Sequence, residues 1–105
     1  MKFSIVLTKE DHVWGEGKEY REAFVRSMES YLDDILRVKG YLFVNKVFEY
    51  FNKKGKPPGQ IEGWVYSKTK EFRFKNHYYK NDETLVIELP ETYTILWSAF
   101  EEERK

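Results

Sequence analysis

The chain has no cysteine. That excludes disulfides, thiolate metal sites and thiol nucleophiles, and it suits a reducing compartment. Long apolar runs are missing too. The opening MKFSIVL holds one lysine and a run of about five mostly apolar residues, short of the roughly 7–15 of a signal-peptide core. No segment approaches the roughly 20 apolar residues of a membrane span. The expectation is a soluble, cytoplasmic protein. Net charge is absent as well, zero from 18 basic and 18 acidic side chains. Disorder requires few aromatics together with a large net charge. Here aromatics make up 18% of the residues, and each brings a large apolar area to a core. A chain of 105 residues is the size of one domain and buries roughly two thirds of its extended surface.

The charges are unevenly spread. Residues 53–80 carry eight basic side chains against two acidic ones, whereas residues 81–105 carry seven acidic against two basic. Either neighbouring strands neutralise each other, or the middle of the chain is a basic face for an anionic partner.

Periodicity orders the chain as β-α-(β)-α-β-β-β-β. FSIVLT alternates, with Phe3, Ile5 and Leu7 on one side, and reads as a strand. Residues 18–39 form the clearest helix. Tyr20, Phe24, Met28, Tyr31, Leu32, Ile35 and Leu36 make one apolar stripe, Asp33 and Arg37 form an i,i+4 pair, and Gly40 stands at the left-handed cap. After an extended YLFV, Asn45 is placed to cap a second helix over 46–54, stopped by Gly55. GKPPG is a rigid turn. The strands IEGWVYS, KEFRFKN, TLVIEL and YTILW follow, with Pro90 outside the ladders. The fold class is therefore α+β: two helices, about 18–39 and 46–54, packed on one face of a mainly antiparallel sheet of four to five strands, in a single domain.

The succession GYLFVNKVFEYF, GWVYS, EFRF and LVIEL resembles a group of small uncharacterised proteins encoded by phages and integrative elements of Gram-positive bacteria. The likeness covers roughly residues 40–90. This chain departs from the group in its Lys/Pro-rich turn, where a more apolar one is the pattern. The resemblance implies no known activity, so it carries no catalytic residue.

The chemistry-bearing residues are few. His12 sits beside Glu10 and Asp11, but a metal site needs ligands converging from separate elements, and His77 is far along the chain. Asp33 and Asp34 are consecutive on the helix, about 100° apart, and read as an outer charged face. Ser27 and Ser30 have no nearby histidine to act as base. GEGKEY lacks the further glycines and the Ser/Thr of a phosphate loop. No cofactor, no metal and no catalytic set are expected. Trp64 and Trp97 read as core. Trp14, in a loop flanked by glycine, is the candidate partner-facing aromatic.

Within EFRFKNHYYK, Phe72 and Phe74 share one face while Arg73 and Lys75 share the other. Rings turned inward cannot stack bases, which argues against a stacking platform. Lys53, Lys54, Lys56, Lys68, Lys70, Arg73 and Lys75 remain as groups able to hold phosphates without reading bases. The sequence thus points to a non-enzymatic binding module, a protein-interaction or accessory protein of a mobile element. The alternative is a sequence-nonspecific nucleic-acid-binding protein using residues 53–80.

Overall fold

A computed structural model describes residues 2–60, 62–79 and 83–95. The fold is α+β, in the order read from the sequence: β1 (Ser4–Thr8), α1 (Lys18–Lys39), β2 (Tyr41–Phe43), α2 (Val44–Tyr50), β3 (Glu62–Val65), β4 (Lys75–Tyr79), β5 (Thr84–Glu88) and β6 (Tyr93–Thr94). Short 3₁₀ turns at His12–Glu16 and Pro57–Gln60 join β1 to α1 and α2 to β3. No helix among the described residues is long and apolar enough to cross a membrane.

The strand count differs from the expected single sheet. Among the described residues, six strands form two three-stranded antiparallel sheets, β1-β5-β4 and β2-β3-β6. The local pattern reads strands but not which strands share a ladder. In the first sheet, Ile5 and Leu7 of β1 and Leu85 and Ile87 of β5 are buried on the inner face. In the second, Gly63 lies opposite Phe43, so close that a Cβ there would overlap the Leu42 carbonyl oxygen. The tail from Leu96 onward, including the expected core residue Trp97 and the rest of YTILW, lies outside the described residues.

α1 has the expected bounds and ends as expected. Gly40 takes the left-handed conformation (φ 85°) and donates its N–H to Leu36 O at 2.8 Å, a termination that glycine makes without steric cost. Its buried face keeps Leu32 and Leu36 of the expected stripe, with Phe24, Met28 and Ile35 half-buried against the core, and widens toward Val25. Arg21, Val25, Leu32, Asp33 and Leu36 are buried, while Tyr20 and Tyr31 are exposed. Tyr31 instead meets Tyr50 of α2 edge-on, with ring centroids 5.4 Å apart.

α2 begins and ends earlier than the expected 46–54. Asn45 is not its N-cap, because its carboxamide is held by the Lys56 main chain. Lys56 N–H donates to Asn45 Oδ1 and Asn45 Nδ2 donates to Lys56 O, each at 2.9 Å. The helix closes at Asn52, which takes a left-handed φ of 59°. Lys53 N–H reaches Phe48 O at 2.8 Å and Asn52 N–H reaches Glu49 O at 2.9 Å. That is a Schellman closure with asparagine at the left-handed position, so Gly55 has no helix to stop.

The expected strand KEFRFKN also begins late. β4 starts only at Lys75, and residues 71–74 lie outside the ladders. Phe72 and Phe74 nevertheless face inward as read. A chain of ring contacts runs Trp64–Phe72–Phe74–Phe51–Phe24 at centroid distances of 4.9, 5.4, 5.9 and 5.8 Å. Most of these pairs are edge-to-face, the geometry that ring quadrupoles favour. They join β3, the segment before β4, the end of α2 and α1 into one core. Trp64 is wholly buried and donates its indole N–H to Pro90 O at 3.2 Å.

Candidate binding groove between the long helix and an edge strand

The segment before β4 is bound to α1 by carboxylates. Phe72 N–H donates to Asp33 Oδ1 at 3.1 Å, and Phe74 N–H donates to Glu29 Oε2 at 2.6 Å. Asp33 is buried, not on an outer face as its sequence context suggests, and its second oxygen accepts Arg37 Nε at 2.9 Å. That bond holds the Arg37 guanidinium above its ordinary pKa. The spacing has a simple cause. Four helical residues rise about 6 Å, and two extended residues advance about 6.6 Å, so acids at i and i+4 match alternate amides of a strand.

The match fails at the next rung. One helical step before Glu29 stands Val25, which offers no acceptor to Asn76. Here α1 and β4 separate around a recess of about 280 Å³, lined by Glu22, Val25, Arg26, Glu29, Asn76, Tyr78 and Leu85. Tyr78 is held on the far side of it. Its hydroxyl donates to Glu22 Oε1 at 3.4 Å, and its ring faces Lys18 Nζ at 5.1 Å and the Arg21 guanidinium at 5.6 Å.

The backbone of β4 along this recess faces outward. Leu89 N–H donates to Phe3 O at 3.0 Å, which makes Phe3 and Leu89 a hydrogen-bonded pair. In an antiparallel ladder such pairs alternate. Ile5↔Ile87 and Leu7↔Leu85 are therefore hydrogen-bonded too, and β5 turns its groups at Thr84, Val86 and Glu88 toward β4. Their partners are Tyr79, His77 and Lys75. Asn76 and Tyr78 are left with their N–H and C=O directed to the free edge, on the same side as the amides of Phe72 and Phe74. Among the described residues no strand pairs with that edge of β4. The opposite edge of the sheet differs, since Lys53, Lys54, Lys56 and Phe48 stand beside Ser4, Ile5 and Val6 of β1.

The candidate residues read from the sequence do not form one face. Trp14 is half-buried against the core, and its ring is covered by the Arg21 guanidinium at 3.7 Å. Arg21 is itself only 4% exposed, and its Nε has no hydrogen-bond partner among the described residues. Lys53 pairs with Asp11 at 2.7 Å, while Lys54 and Lys56 are exposed beside β1. Lys68 lies over the Tyr93 ring at 5.1 Å and Lys70 over Tyr66 at 4.6 Å. Arg73 and Lys75 share a recess with Lys2, Glu71, Glu88 and Glu91, where cations and carboxylates balance.

Sequence reasoning missed the parts that matter most here. Glu29 and Asp33 were detectable in principle, because they lie four apart on the helix face that carries Val25 and Leu36. His77 and Tyr79 fall on the outer face of β1-β5-β4 with Lys75, exposed and 6.4 Å apart between ring centroids. His77 Nε2 meets Glu88 Oε2 at 2.6 Å. In the second sheet, Glu62 is buried and accepts hydrogen bonds from the hydroxyls of Thr92, at 2.6 Å, and Thr94. The two hydroxyls, Thr92 first, hold its carboxyl below the ordinary glutamate pKa against the opposing effect of burial. No family model, no curated protein and no solved structure matches the chain.

Proposed function

We propose that this chain is a non-enzymatic binding module that takes an extended segment of a protein partner onto the free edge of β4, as an accessory protein of a mobile element acting in the cytoplasm. The outward backbone of Asn76 and Tyr78 carries the reading. An extended peptide added to a sheet edge gains main-chain hydrogen bonds, and alternate side chains enter whatever lies beneath the edge. The recess between α1 and β4 is small for a cofactor, since ligand pockets run about 300–1,000 Å³, but it suits single side chains. Glu22 and Glu29 on its wall favour a basic or hydrogen-bonding residue there. The resemblance of residues 40–90 to proteins of phages and integrative elements supports the accessory role, and the missing cysteines support the compartment.

Asn76→Pro tests this reading. Its N–H points away from β5, so proline removes an outward donor and leaves the internal ladder intact. Pull-downs from host lysate are run with wild type and variant, with nucleic acid digested in one arm. A protein retained by wild type after digestion and lost with Asn76→Pro is the expected result. Retention unchanged by the substitution would reject the edge as the binding element.

A second reading rests on a different surface. His77 and Tyr79 are exposed rings beside Lys75 on the outer sheet face, with Lys54 and Lys56 near Val6 across it. Exposed rings with flanking cations hold single strands by stacking and phosphate contact. Fluorescence anisotropy with labelled oligonucleotides decides it. Binding that weakens with salt, by a log–log slope of about −0.7 per phosphate on single strands, and that falls with Tyr79→Ala would support it. No binding at low salt would end it.

A further inference from the structure

We infer that the other edge of this sheet, along Ser4 and Val6 of β1, takes an acidic extended peptide. This goes beyond the reading of the β4 edge and does not depend on it.

The alternation that turns Asn76 and Tyr78 outward acts on β1 as well. Ile5 and Leu7 give their main-chain groups to β5, so Ser4, Val6 and Thr8 direct theirs away from it. Thr8 is fully used there. Its N–H donates to Asp11 Oδ2 at 2.8 Å, and its carbonyl accepts the Asp11 N–H at 2.9 Å. That turn closes the edge at one end. Ser4 and Val6 are both exposed, and among the described residues no strand pairs with their outward N–H and C=O groups.

A recess of about 240 Å³ lies against this edge. Ile5 and Phe48, both buried, give it an apolar floor. Lys53, Lys54 and Lys56 line it as well, and no carboxylate does. The segment that carries these lysines is held in place. Lys53 N–H donates to Phe48 O, and its ammonium pairs with Asp11 at 2.7 Å. Lys56 is fixed through its main chain to the Asn45 carboxamide. Gly55 passes so close to that carboxamide that a Cβ would overlap it, which is why a glycine stands between the two lysines. Lys54 and Lys56 are exposed and form no ion pair among the described residues.

These charges name the occupant. Lysines at a sheet edge repel basic strands and deter indiscriminate pairing. The same repulsion selects an acidic strand, since specificity is built from what is rejected as well as what is attracted. The recess beside β4 carries Glu22 and Glu29 against Arg26, so the two edges of the sheet ask for opposite charges. A peptide also fits this edge better than a nucleic-acid backbone. The edge offers carbonyl acceptors along with N–H donors, and a phosphodiester, which only accepts, leaves the carbonyls of Ser4 and Val6 without partners. Main-chain pairing then sets the position of the peptide, and carboxylates facing Lys54 and Lys56 set its identity.

The test is a titration of the isotope-labelled chain, followed by magnetic resonance, with a short capped peptide that alternates glutamate and valine. Saturable shifts of the Ser4, Val6, Lys54 and Lys56 amides are expected, with slowed exchange at Ser4 and Val6. Binding is expected to weaken with salt, which screens exposed charges. The same peptide with lysine in place of glutamate is expected not to bind at this edge. Lys54→Glu together with Lys56→Glu, both on the surface, is expected to reverse the preference between the two peptides. Val6→Pro removes an outward donor and leaves the ladder with β5 intact, so it is expected to abolish binding while the circular dichroism is retained. Asn76→Pro is expected to leave binding unchanged, which keeps this result separate from the fate of the β4 edge. Methylating the main-chain nitrogens of the peptide keeps its charge and removes its donors. Undiminished binding of the methylated peptide would mean charge attraction without strand pairing, and would overturn the proposal. So would a glutamate peptide that leaves Ser4 and Val6 unshifted, or a single-stranded oligonucleotide that occupies Lys54 and Lys56 where the peptide does not.

Discussion

Asp33 Oδ1 accepts the main-chain N–H of Phe72 at 3.1 Å, with both groups buried. One carboxylate thus ties the long helix to a segment 39 residues away, and its neighbour Glu29 repeats the contact one helical turn earlier. This pair of contacts holds the segment before β4 against α1.

Asp33→Leu removes the acceptor and leaves a buried amide unpaired. The expected loss is about 1–3 kcal/mol, the usual cost of an orphaned buried donor. Asp33→Asn keeps an acceptor oxygen and is expected to lose less. Urea unfolding of both variants, with amide exchange at Phe72, measures the difference. Equal stability of Asp33→Leu and wild type would contradict the role given to this contact.

Leu32 and Val38 lie on the same helix, and only the first is buried, at 0% against 85% exposure. Leu32→Ala is expected to cost about 2–5 kcal/mol, a large part of the roughly 5–15 kcal/mol that holds such a domain together. Val38→Ala should change stability by less than about 0.5 kcal/mol, as surface substitutions do. Comparable losses at the two positions would mean that the buried stripe of α1 is placed on the wrong face.

Gly63→Ala sets a Cβ against the Leu42 carbonyl and the Phe43 backbone across the ladder. Main chain cannot swing aside as a side chain does, so the β2–β3 pairing must open. A loss at or above the roughly 1–3 kcal/mol typical of overpacking is expected, read as a lowered melting temperature. Wild-type melting behaviour would show that the two strands do not approach so closely.

Glu62 gives the protein an acid-sensitive element. Its native pKa is lowered, chiefly by the Thr92 hydroxyl and then by Thr94, so the unfolded chain takes up its proton more readily than the native one. The stabilisation is complete above the ordinary glutamate value, about 4.3, and is lost as pH falls through the lower native value. Glu62→Gln should therefore be less stable than wild type near neutrality, and the gap should narrow in acid. Unfolding measured across that range, with a gap independent of pH, would show that the carboxylate is not held this way.

The sequence by itself determined the elements whose cause is local. The bounds of α1 follow from an apolar period ended by Gly40, which takes the left-handed turn without steric cost. The inward faces of β1 and β5 follow from alternation, and so does the inward turn of Phe72 and Phe74, because a two-residue period admits only two faces. Tertiary structure decided everything that depends on a distant partner. Asp33 looks like a surface acid until Phe72 is brought to it. Asn45 looks like a helix cap until Lys56 occupies its amide. The six strands among the described residues divide into two sheets because pairing is set by contacts across the chain, not within it. The free edge of β4 has the same origin: alternation along EFRFKNHYYK separates Asn76 and Tyr78 from His77 and Tyr79, but only the pairing of Phe3 with Leu89 settles which of them turns its backbone to the open edge.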